Sequence, residues 1–587
     1  MSGEGTPSFD YQVLSRILKL AKPYTKVFLL AGVLGVLLAP ASSLRPYLIN
    51  VMVDEHIVNF DLQGMLRMAG LISALLVLEV FLQYGFIYAT NWLGQSVIRD
   101  LRKSVFNHLV GLRLRFFDQT PIGTLTTRTI NDIESVNQVF SQGVITIVAD
   151  MLAIIVILII MFLSSWQLTV ICLASMPLML LATYIFKEKV KASYQIVRTQ
   201  IANMNAFLQE RISGMRIVQI FTAEDRELRK FKKINRAYTR ANLNSILYYA
   251  VFFPVVEIIS ALALGLMVWW GARGVISDEI SFGALVAFPI YLSMLFRPLR
   301  FIADRFNTLQ MGMVAADRVF KVLDSTAQIE NNGSLVVEKL KGEIEFDEVG
   351  FAYDEVNYVL EDINLHIKPG ETLALVGSTG SGKSTIINIL NRFYEVQKGT
   401  VKIDGRDLKA YELSALRKRI SIVLQDVFLF SGTIFENITL RDEEISREKV
   451  IESAKLIGAH EFISMMPNGY DFLVNERGSN MSMGQRQIIS FVRALVFDPD
   501  ILILDEATSS VDSETEAVIQ YAIEKLIQKR TSIIIAHRLS TIQHANQIAV
   551  LSHGRIIEFG THDELLSNED GPYKRLYEMQ FIEAIQT

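Results

Sequence analysis

The chain has 587 residues, of which 50% are hydrophobic and 20% charged, and its formal net charge is −5 at pH 7. This composition excludes a disordered or fibrous protein, and a wholly soluble chain of this size would carry more charge. The acidic balance gives no basic footprint, so we expect no nucleic-acid partner. The single cysteine, Cys172, excludes an internal disulfide or a thiolate zinc site and is expected to be a small buried hydrophobe.

Apolar segments of membrane-spanning length fill the first half of the chain. A helix needs roughly 20 apolar residues to cross about 30 Å of hydrocarbon. Six stretches meet or approach this length, at about residues 26–48, 66–92, 139–163, 167–186, 247–271 and 282–304. They predict an all-α, six-helix transmembrane domain at 25–310, preceded by a cytoplasmic segment at 1–24.

The basic residues predict the orientation of these spans. Lysine and arginine are concentrated before the first span, after the second and after the fourth, whereas the loop at 50–64 has neither. Because cytoplasmic loops carry the excess of these residues, the N-terminus and the C-terminal domain are expected in the cytoplasm. We therefore expect a multi-pass integral membrane protein, and we place it in the bacterial inner membrane with lipid around it.

Two cytoplasmic segments between spans are too long for simple turns. Within them, Gly111–Gly123 and Ser213–Asp225 break the helical periodicity with glycine, proline and small residues. Such breaks favour short helices lying across the membrane normal, able to contact another domain, and the alternative is an ordinary solvated turn. If they do couple the two domains, mutation of Phe117 or Phe221 should change the catalytic rate of the domain they contact.

Three carboxylates lie well inside the predicted spans, away from their ends: Glu79, Asp150 and Glu257. Ionisable residues within a membrane are candidates for function, although each of these can instead pair with a neighbouring polar group. Aromatic and methionine side chains in the spans either line a cavity for an amphiphile or face lipid and pack helices; they include Tyr84, Phe252, Phe253, Met294 and Phe296.

A linker at 311–341, polar from Ser325 onward, leads into an α/β domain at 342–587 that contains a phosphate-binding loop. The loop reads GSTGSGKST and stands between the apolar run ETLALV and the helical stretch TIINILNRF. Its glycines let backbone amides surround an anion, Lys383 would neutralise the β- and γ-phosphates, and the Ser384 hydroxyl would bind Mg²⁺. The predicted binding residues are Gly377, Ser378, Thr379, Gly380, Ser381, Gly382, Lys383, Ser384 and Thr385.

Two further apolar strands end in chemically active residues. Ile501–Asp512 reads ILILDEATSSVD, which places Asp505 to hold Mg²⁺ through water and Glu506 to polarise the attacking water. Open α/β sheets bind ligands at the carboxyl ends of their strands, which supports this placement. The run SIIIAH ends in His537, a γ-phosphate sensor in one interpretation and a structural histidine in the other.

Together these motifs resemble the nucleotide-binding domain of ABC transporters. The resemblance rests on the phosphate loop, on DEATSSVD and on AHR. It rests also on two further elements, which are NMSMGQRQ (Asn480–Gln487) and the glutamine of IVLQDVFLF. Six spans with two long internal segments resemble the exporter-type half-transporter, a transmembrane domain fused to its ATPase domain. The resemblance covers essentially the whole chain, and it is not specific to any substrate.

The resemblance implies roles for residues outside the phosphate loop. Tyr353 would stack on adenine, and Gln425 would touch Mg²⁺ and report to the membrane domain. The signature residues Ser482, Gly484 and Gln485 would contact the γ-phosphate of an ATP held by the opposite subunit. ATP and Mg²⁺ are thus the implied cofactors, and a second half-transporter is the implied partner.

One position departs from the family pattern, since Met483 stands where the signature normally has glycine. In this family altered signatures occur in heterodimers, so a homodimer and a heterodimer both stay open. The implied activity is ATP-driven export or flipping of an amphiphilic lipid, drug or peptide. The alternative is an ATP-gated channel or a regulatory membrane subunit with little transport.

Overall fold

The computed structural model describes residues 10–328, 331–354, 356–505, 513–536 and 542–578. These residues form two compact units. The first comprises the chain up to Val110 and Pro121–Thr326 and is helical, whereas the second comprises Gly111–Thr120 and the chain from Ala327 and is α/β. The expected fold class, a helical membrane domain followed by an α/β domain, is confirmed.

Several of the helices before residue 324 are much longer than those of an average globular domain. The longest, with 53 residues, extends about 80 Å at 1.5 Å per residue. π-Helical turns at Met52–Ile57, Arg128–Asp132 and Val139–Gly143 adjoin several of them. The helices are α1 (Tyr11–Leu20), α2 (Thr25–Val51), α3 (Leu62–Val110), α4 (Leu114–Gln119, in the second unit), α5 (Ile122–Thr127), α6 (Ile133–Gln138), α7 (Val144–Ser164), α8 (Trp166–Ala174), α9 (Met176–Ser213), α10 (Met215–Ile220), α11 (Glu224–Ile276) and α12 (Phe282–Leu323).

Apolar stretches of these helices coincide with the six predicted spans. Among the described residues, five helical segments are long and apolar enough to cross a membrane, and a shorter apolar stretch begins α12. Many of their leucine, valine and phenylalanine side chains point outward, which water would disfavour and hydrocarbon would not. The segments are Lys22–Ile57, Leu62–Val110, Ile122–Ser164, Trp166–Ser213, Glu224–Ile276 and, in α12, Phe282–Pro298.

The first unit is held together by two apolar clusters. One joins α1, α3, α7 and α12 around fully buried side chains such as Ile17, Leu93 and Val319. The other joins α7, α8, α11 and α12 around Met161 and Met267, and Cys172 lies buried within it. Cys172 therefore has the environment of a small core hydrophobe, as the sequence predicts.

Three sheets form the strand part of the second unit. A four-stranded antiparallel sheet has the order β2-β1-β4-β5, a six-stranded sheet has the order β12-β11-β3-β10-β9-β6, and β7 pairs with β8. The strands are β1 (Ile344–Phe351), β2 (Leu360–Ile367), β3 (Thr372–Gly377), β4 (Lys398–Ile403), β5 (Arg406–Asp407), β6 (Ile420–Val423), β7 (Gly432–Thr433), β8 (Leu473–Val474), β9 (Ile501–Asp505), β10 (Thr531–Ile535), β11 (Gln547–Ser552) and β12 (Arg555–Gly560).

The six-stranded sheet is parallel except at β12 and is buried on both faces. Along β3, Leu373 and Leu375 face the core shared with the antiparallel sheet, whereas Ala374 and Val376 face the core shared with the helices. The helices are α13 (Lys383–Leu390), α14 (Leu413–Lys418), α15 (Ile434–Thr439), α16 (Arg447–Leu456), α17 (His460–Met465), α18 (Met483–Val496), α19 (Ser513–Ile527) and α20 (His562–Ser567).

Candidate nucleotide site

The carboxyl edge of the parallel sheet collects the predicted phosphate and metal residues. β10 lies between β3 and β9, and Ile535 is in register with Leu375 on one side and with Asp505 on the other. The phosphate loop starts at the end of β3, so it shares this edge with Asp505. Gln425 follows β6, which pairs with β9, and is exposed. Three separate motifs of the sequence thus meet along one edge.

The loop between β3 and α13 depends on glycine at two close approaches. Gly377 and Gly382 have φ values of +153° and +105°. A Cβ at Gly377 would lie 2.3 Å from the carbonyl oxygen of Leu551, and one at Gly382 would lie 2.5 Å from a methyl carbon of Leu360. Glycine at both positions, where a larger side chain would not fit, allows the loop to turn tightly. The backbone amides of such a loop can then point toward a bound anion.

Lys383 begins α13 and is 7% exposed. Its Nζ donates to the carbonyl oxygens of Gly377 at 2.7 Å and Ser378 at 2.9 Å. Burial lowers the pKa of the Lys383 ammonium from its ordinary value of 10.5, and the negative charge of Asp505 opposes that shift. The ammonium is thus folded against its own loop, where an incoming phosphate can compete for it.

The hydroxyl groups of the loop fit an anion and a hard cation. Within the described chain the buried Oγ of Ser381 has no hydrogen-bond partner, and Ser384 is exposed at the start of α13. Ser384, Gln425 and Asp505 supply oxygen donors, which Mg²⁺ prefers while keeping several positions for water and phosphate. No grouping of three His, Cys, Asp or Glu side chains able to hold a metal occurs in the described ranges. The residues present therefore suit a metal bound largely by the nucleotide.

Tyr353 lies next to the first turn of α13. Its hydroxyl is 3.2 Å from the Oγ1 of Thr385 and accepts from the Nδ2 of Asn388 at 3.3 Å. Its ring packs edge-on against Phe351 and Tyr394. The aromatic that the resemblance assigns to adenine is therefore beside the phosphate loop, although the sequence gives no sign of its bond to Thr385.

The signature residues form the N-terminus of α18. Ser482 Oγ accepts from the Gln485 amide at 3.2 Å, and Gln485 Oε1 accepts from the Ser482 amide at 2.9 Å, a complete capping box. Gly484 is buried and Met483 is partly exposed. Among the described residues no hydrogen bond joins this segment to the phosphate loop of the same chain. The signature residues and the phosphate loop, which are the two predicted halves of the ATP site, are therefore not hydrogen-bonded to each other within one subunit.

Glu506 and His537, the predicted catalytic residues, lie outside the described residues. Ser378, Thr379 and Gly380 are exposed along the phosphate loop, as a ligand-facing segment requires. Their roles and that of Lys383 remain predictions from the sequence.

Arg493 makes contacts near the site that the sequence did not predict. Its guanidinium donates to the carbonyl oxygens of Asn437 at 2.9 Å and Phe428 at 3.3 Å, which links α18 to the segment after Gln425. Burial lowers the pKa of Arg493 to about 10. An arginine within the largely apolar run IISFVRALV is the signal that could have identified it.

The segment Gly111–Thr120 belongs to the α/β unit. The Arg113 amide donates to Ala327 at 2.8 Å, and the side chains of Asp118 and Tyr394 are hydrogen-bonded. A cavity of about 280 Å³ lies beside Tyr353 and is lined partly by Arg113 and Tyr394. The predicted short helix is present here as α4, and the second predicted one, in Ser213–Asp225, is α10 in the helical unit.

Membrane-spanning helices and a phosphate-binding α/β domain on one chain define a membrane-bound transport ATPase. Profiles of two protein families match the chain: the ABC transporter transmembrane region at residues 28–299 and the ABC transporter domain at residues 360–509. The chain therefore belongs to the ABC transporter family. It is an exporter-type half-transporter, an integral membrane ATPase coupled to transport.

Similar bacterial proteins span nearly the same length. An uncharacterised ABC transporter ATP-binding protein, YknV of Bacillus subtilis, is 41% identical over 98% of this chain and 96% of its own. The probable multidrug resistance ABC transporter ATP-binding/permease protein YheH of the same species is 38% identical over 91% of this chain and 80% of its own. The ATP-dependent lipid A-core flippase of Legionella pneumophila is 35% identical over 96% of each chain.

Proposed function

We propose that this chain exports or flips an amphiphilic molecule across the bacterial inner membrane, with its N-terminus and ATPase domain in the cytoplasm. The observation that carries the proposal is the meeting of the phosphate loop and Asp505 at one sheet edge, in a chain whose first half has six apolar helical stretches. The names of the relatives support an amphiphilic substrate, since one is a probable multidrug transporter and another a lipid A-core flippase.

ATP would bind along the carboxyl edge of the sheet. The loop amides and Lys383 would hold its phosphates, Tyr353 its adenine, and Glu506 and His537 would orient the attacking water and the γ-phosphate. Mg²⁺, when bound by Ser384, Gln425 and Asp505, would neutralise charge on the phosphate oxygens. The buried, unpartnered Oγ of Ser381 and the inward-folded Lys383 both suit a phosphate ligand.

Two half-transporters would share each ATP. A nucleotide on one phosphate loop lacks donors on its outer side, and the capped N-terminus of α18 from a second subunit would supply them. ATP would therefore favour the closed dimer, because only differential affinity for two states can shift their equilibrium. Exposed apolar side chains on α10 and its flanks offer a further contact for that subunit; they are Ile212, Ile217, Ile220 and Phe221.

The test is ATP-driven movement of a fluorescent phospholipid between leaflets of proteoliposomes. We expect movement with the wild-type protein, and none above empty vesicles with Lys383→Met or Glu506→Gln. ATP hydrolysis without any movement of lipid, drug or peptide probes would contradict export. An ATP-dependent ion conductance under the same conditions would instead support the gated-channel alternative.

A further inference from the structure

The three carboxylates that lie well inside the predicted spans, Glu79, Asp150 and Glu257, differ in their pairing. Glu79 lies 3.5 Å from the guanidinium of Arg45, and Asp150 lies 3.0 Å from that of Arg305. Glu257 on α11 is exposed, and within the described part of the chain it has neither an ion pair nor a hydrogen bond. The sequence left two interpretations open for all three, and the structure separates Glu257 from the other two.

The position of Glu257 along α11 places it deep in the membrane. Tyr248 and Tyr249 at one end and Trp269 and Trp270 at the other mark an aromatic pair at each interface, about 31 Å apart along the helix. Glu257 lies about 13 Å from the tyrosines on the same scale. A carboxylate at this depth is costly unless it meets a countercharge or water.

The face of α11 that carries Glu257 has a distinctive composition. Phe253, Glu257 and Ala261 follow one another at intervals of four residues, so the outer two lie about 40° to either side of Glu257 around the helix, and Tyr249 and Gly265 lie about 80° to either side. The rings of Tyr249 and Phe253 are stacked with centroids 6.2 Å apart. A Cβ at Gly265 would meet nothing within 4 Å. One anionic group thus has aromatic rings on one side and open space on the other.

Most of this face lies away from the packing surface of α11, and Tyr249 at its edge contacts α9, with its ring centroid 5.0 Å from that of Phe186 and its hydroxyl 3.4 Å from that of Tyr194. The helix contributes a different set of side chains to the apolar core of the unit, namely Phe252, Val256, Ile259, Ala263 and Met267. Between Arg240 and Arg273, Glu257 is the single charged residue of the sequence. The charge on this part of the helix is therefore purely negative, and the core packing does not depend on it.

We propose that Glu257 is the anionic anchor of a transport site for lipophilic organic cations. The carboxylate would neutralise the cationic centre, Tyr249 and Phe253 would contact it through their ring faces, and the apolar body would lie over Ala261 and Gly265. The same charge disfavours lipophilic anions at this position. The inference rests on the proposed export function and names its substrate class.

The test measures equilibrium binding of tetraphenylphosphonium to the full-length protein in nanodiscs, with empty nanodiscs as background. We expect Glu257→Gln to weaken binding at least about tenfold and Glu257→Asp to restore it to within about threefold of wild type. Tetraphenylborate, an anion of the same shape, should bind the Gln variant no more weakly than wild type. Glu79→Gln is the control, because its carboxylate already has an arginine, and it should leave cation binding within about twofold.

Unchanged tetraphenylphosphonium binding by a correctly folded Glu257→Gln variant, shown by gel filtration and thermal melting, would overturn the inference. Should that variant not fold, equal binding of the cation and anion probes to the wild-type protein would overturn it instead. The proposed export function fails separately, if the wild-type protein moves no amphiphile of any charge with ATP.

Discussion

Tyr353 combines two roles that substitutions can separate. Its hydroxyl contacts Thr385 and Asn388 on α13, and its ring borders a cavity, where the proposed adenine role would use it for stacking. Tyr353→Phe should lower stability by about 1 kcal/mol, the net worth of a hydrogen bond, and leave the KM for ATP within about twofold. Tyr353→Ala should raise that KM about tenfold, because stacking of a base on an aromatic ring contributes roughly 1–3 kcal/mol. Steady-state ATPase kinetics and thermal melting measure both effects, and an unchanged KM in the Ala variant would contradict the adenine role.

The placement of an individual residue could be predicted from the sequence where a short motif fixes the backbone around that residue. The phosphate loop is such a case, since Gly377 and Gly382 stand where a Cβ would collide with neighbouring strands. Partners distant in sequence were not predictable, because their contacts depend on how helices pack. Arg45 and Arg305 illustrate this, as nothing in the spacing of the sequence connects them to Glu79 and Asp150.

The N-terminus of α18 has both a folding role and a proposed phosphate-binding role. Gln485→Glu retains a side chain that completes the capping box, so the melting temperature should stay within about 2 °C of wild type. The added negative charge would face the γ-phosphate of the partner's ATP, and hydrolysis should fall at least about tenfold. Ser482→Ala is the matched comparison, because it removes the cap and should cost about 1 kcal/mol of stability as well. Wild-type hydrolysis by Gln485→Glu would argue against the phosphate-binding role of this helix.

At the scale of elements, the sequence predicted the two short helices α4 and α10 but not their different surroundings. Both α4 and α10 follow breaks in helical periodicity. The structure assigns α4 to the α/β unit, where Asp118 bonds Tyr394, and leaves α10 in the helical unit with Phe221 exposed. Periodicity reports local conformation, whereas the partner of a short helix is decided by side chains hundreds of residues away.

The composition of the sequence predicted the architecture of the whole molecule more directly than it predicted any single contact. Apolar runs of spanning length and a later alternation of strands and helices are properties of long windows, and local errors average out over them. The fold class was predicted for that reason, whereas the family was predicted mainly from the short motifs of the nucleotide site. The number and identity of subunits were not, because a signature helix capped by its own residues looks the same in a homodimer and a heterodimer.

A complementation experiment addresses that assembly. Lys383→Ala disables the phosphate loop of a chain and Ser482→Ala disables its signature helix, so each variant alone should hydrolyse almost no ATP. In a mixed dimer, the intact loop of one chain meets the intact signature of the other, and one of the two sites is restored. Random pairing makes about half of the dimers mixed, so co-expression should recover up to about a quarter of wild-type ATPase activity. Differently tagged subunits purified in tandem would show that mixed dimers form; if they form and stay inactive, the two halves of the site are not shared between subunits. A wild-type chain that never pairs with itself would instead identify a different half-transporter as the partner.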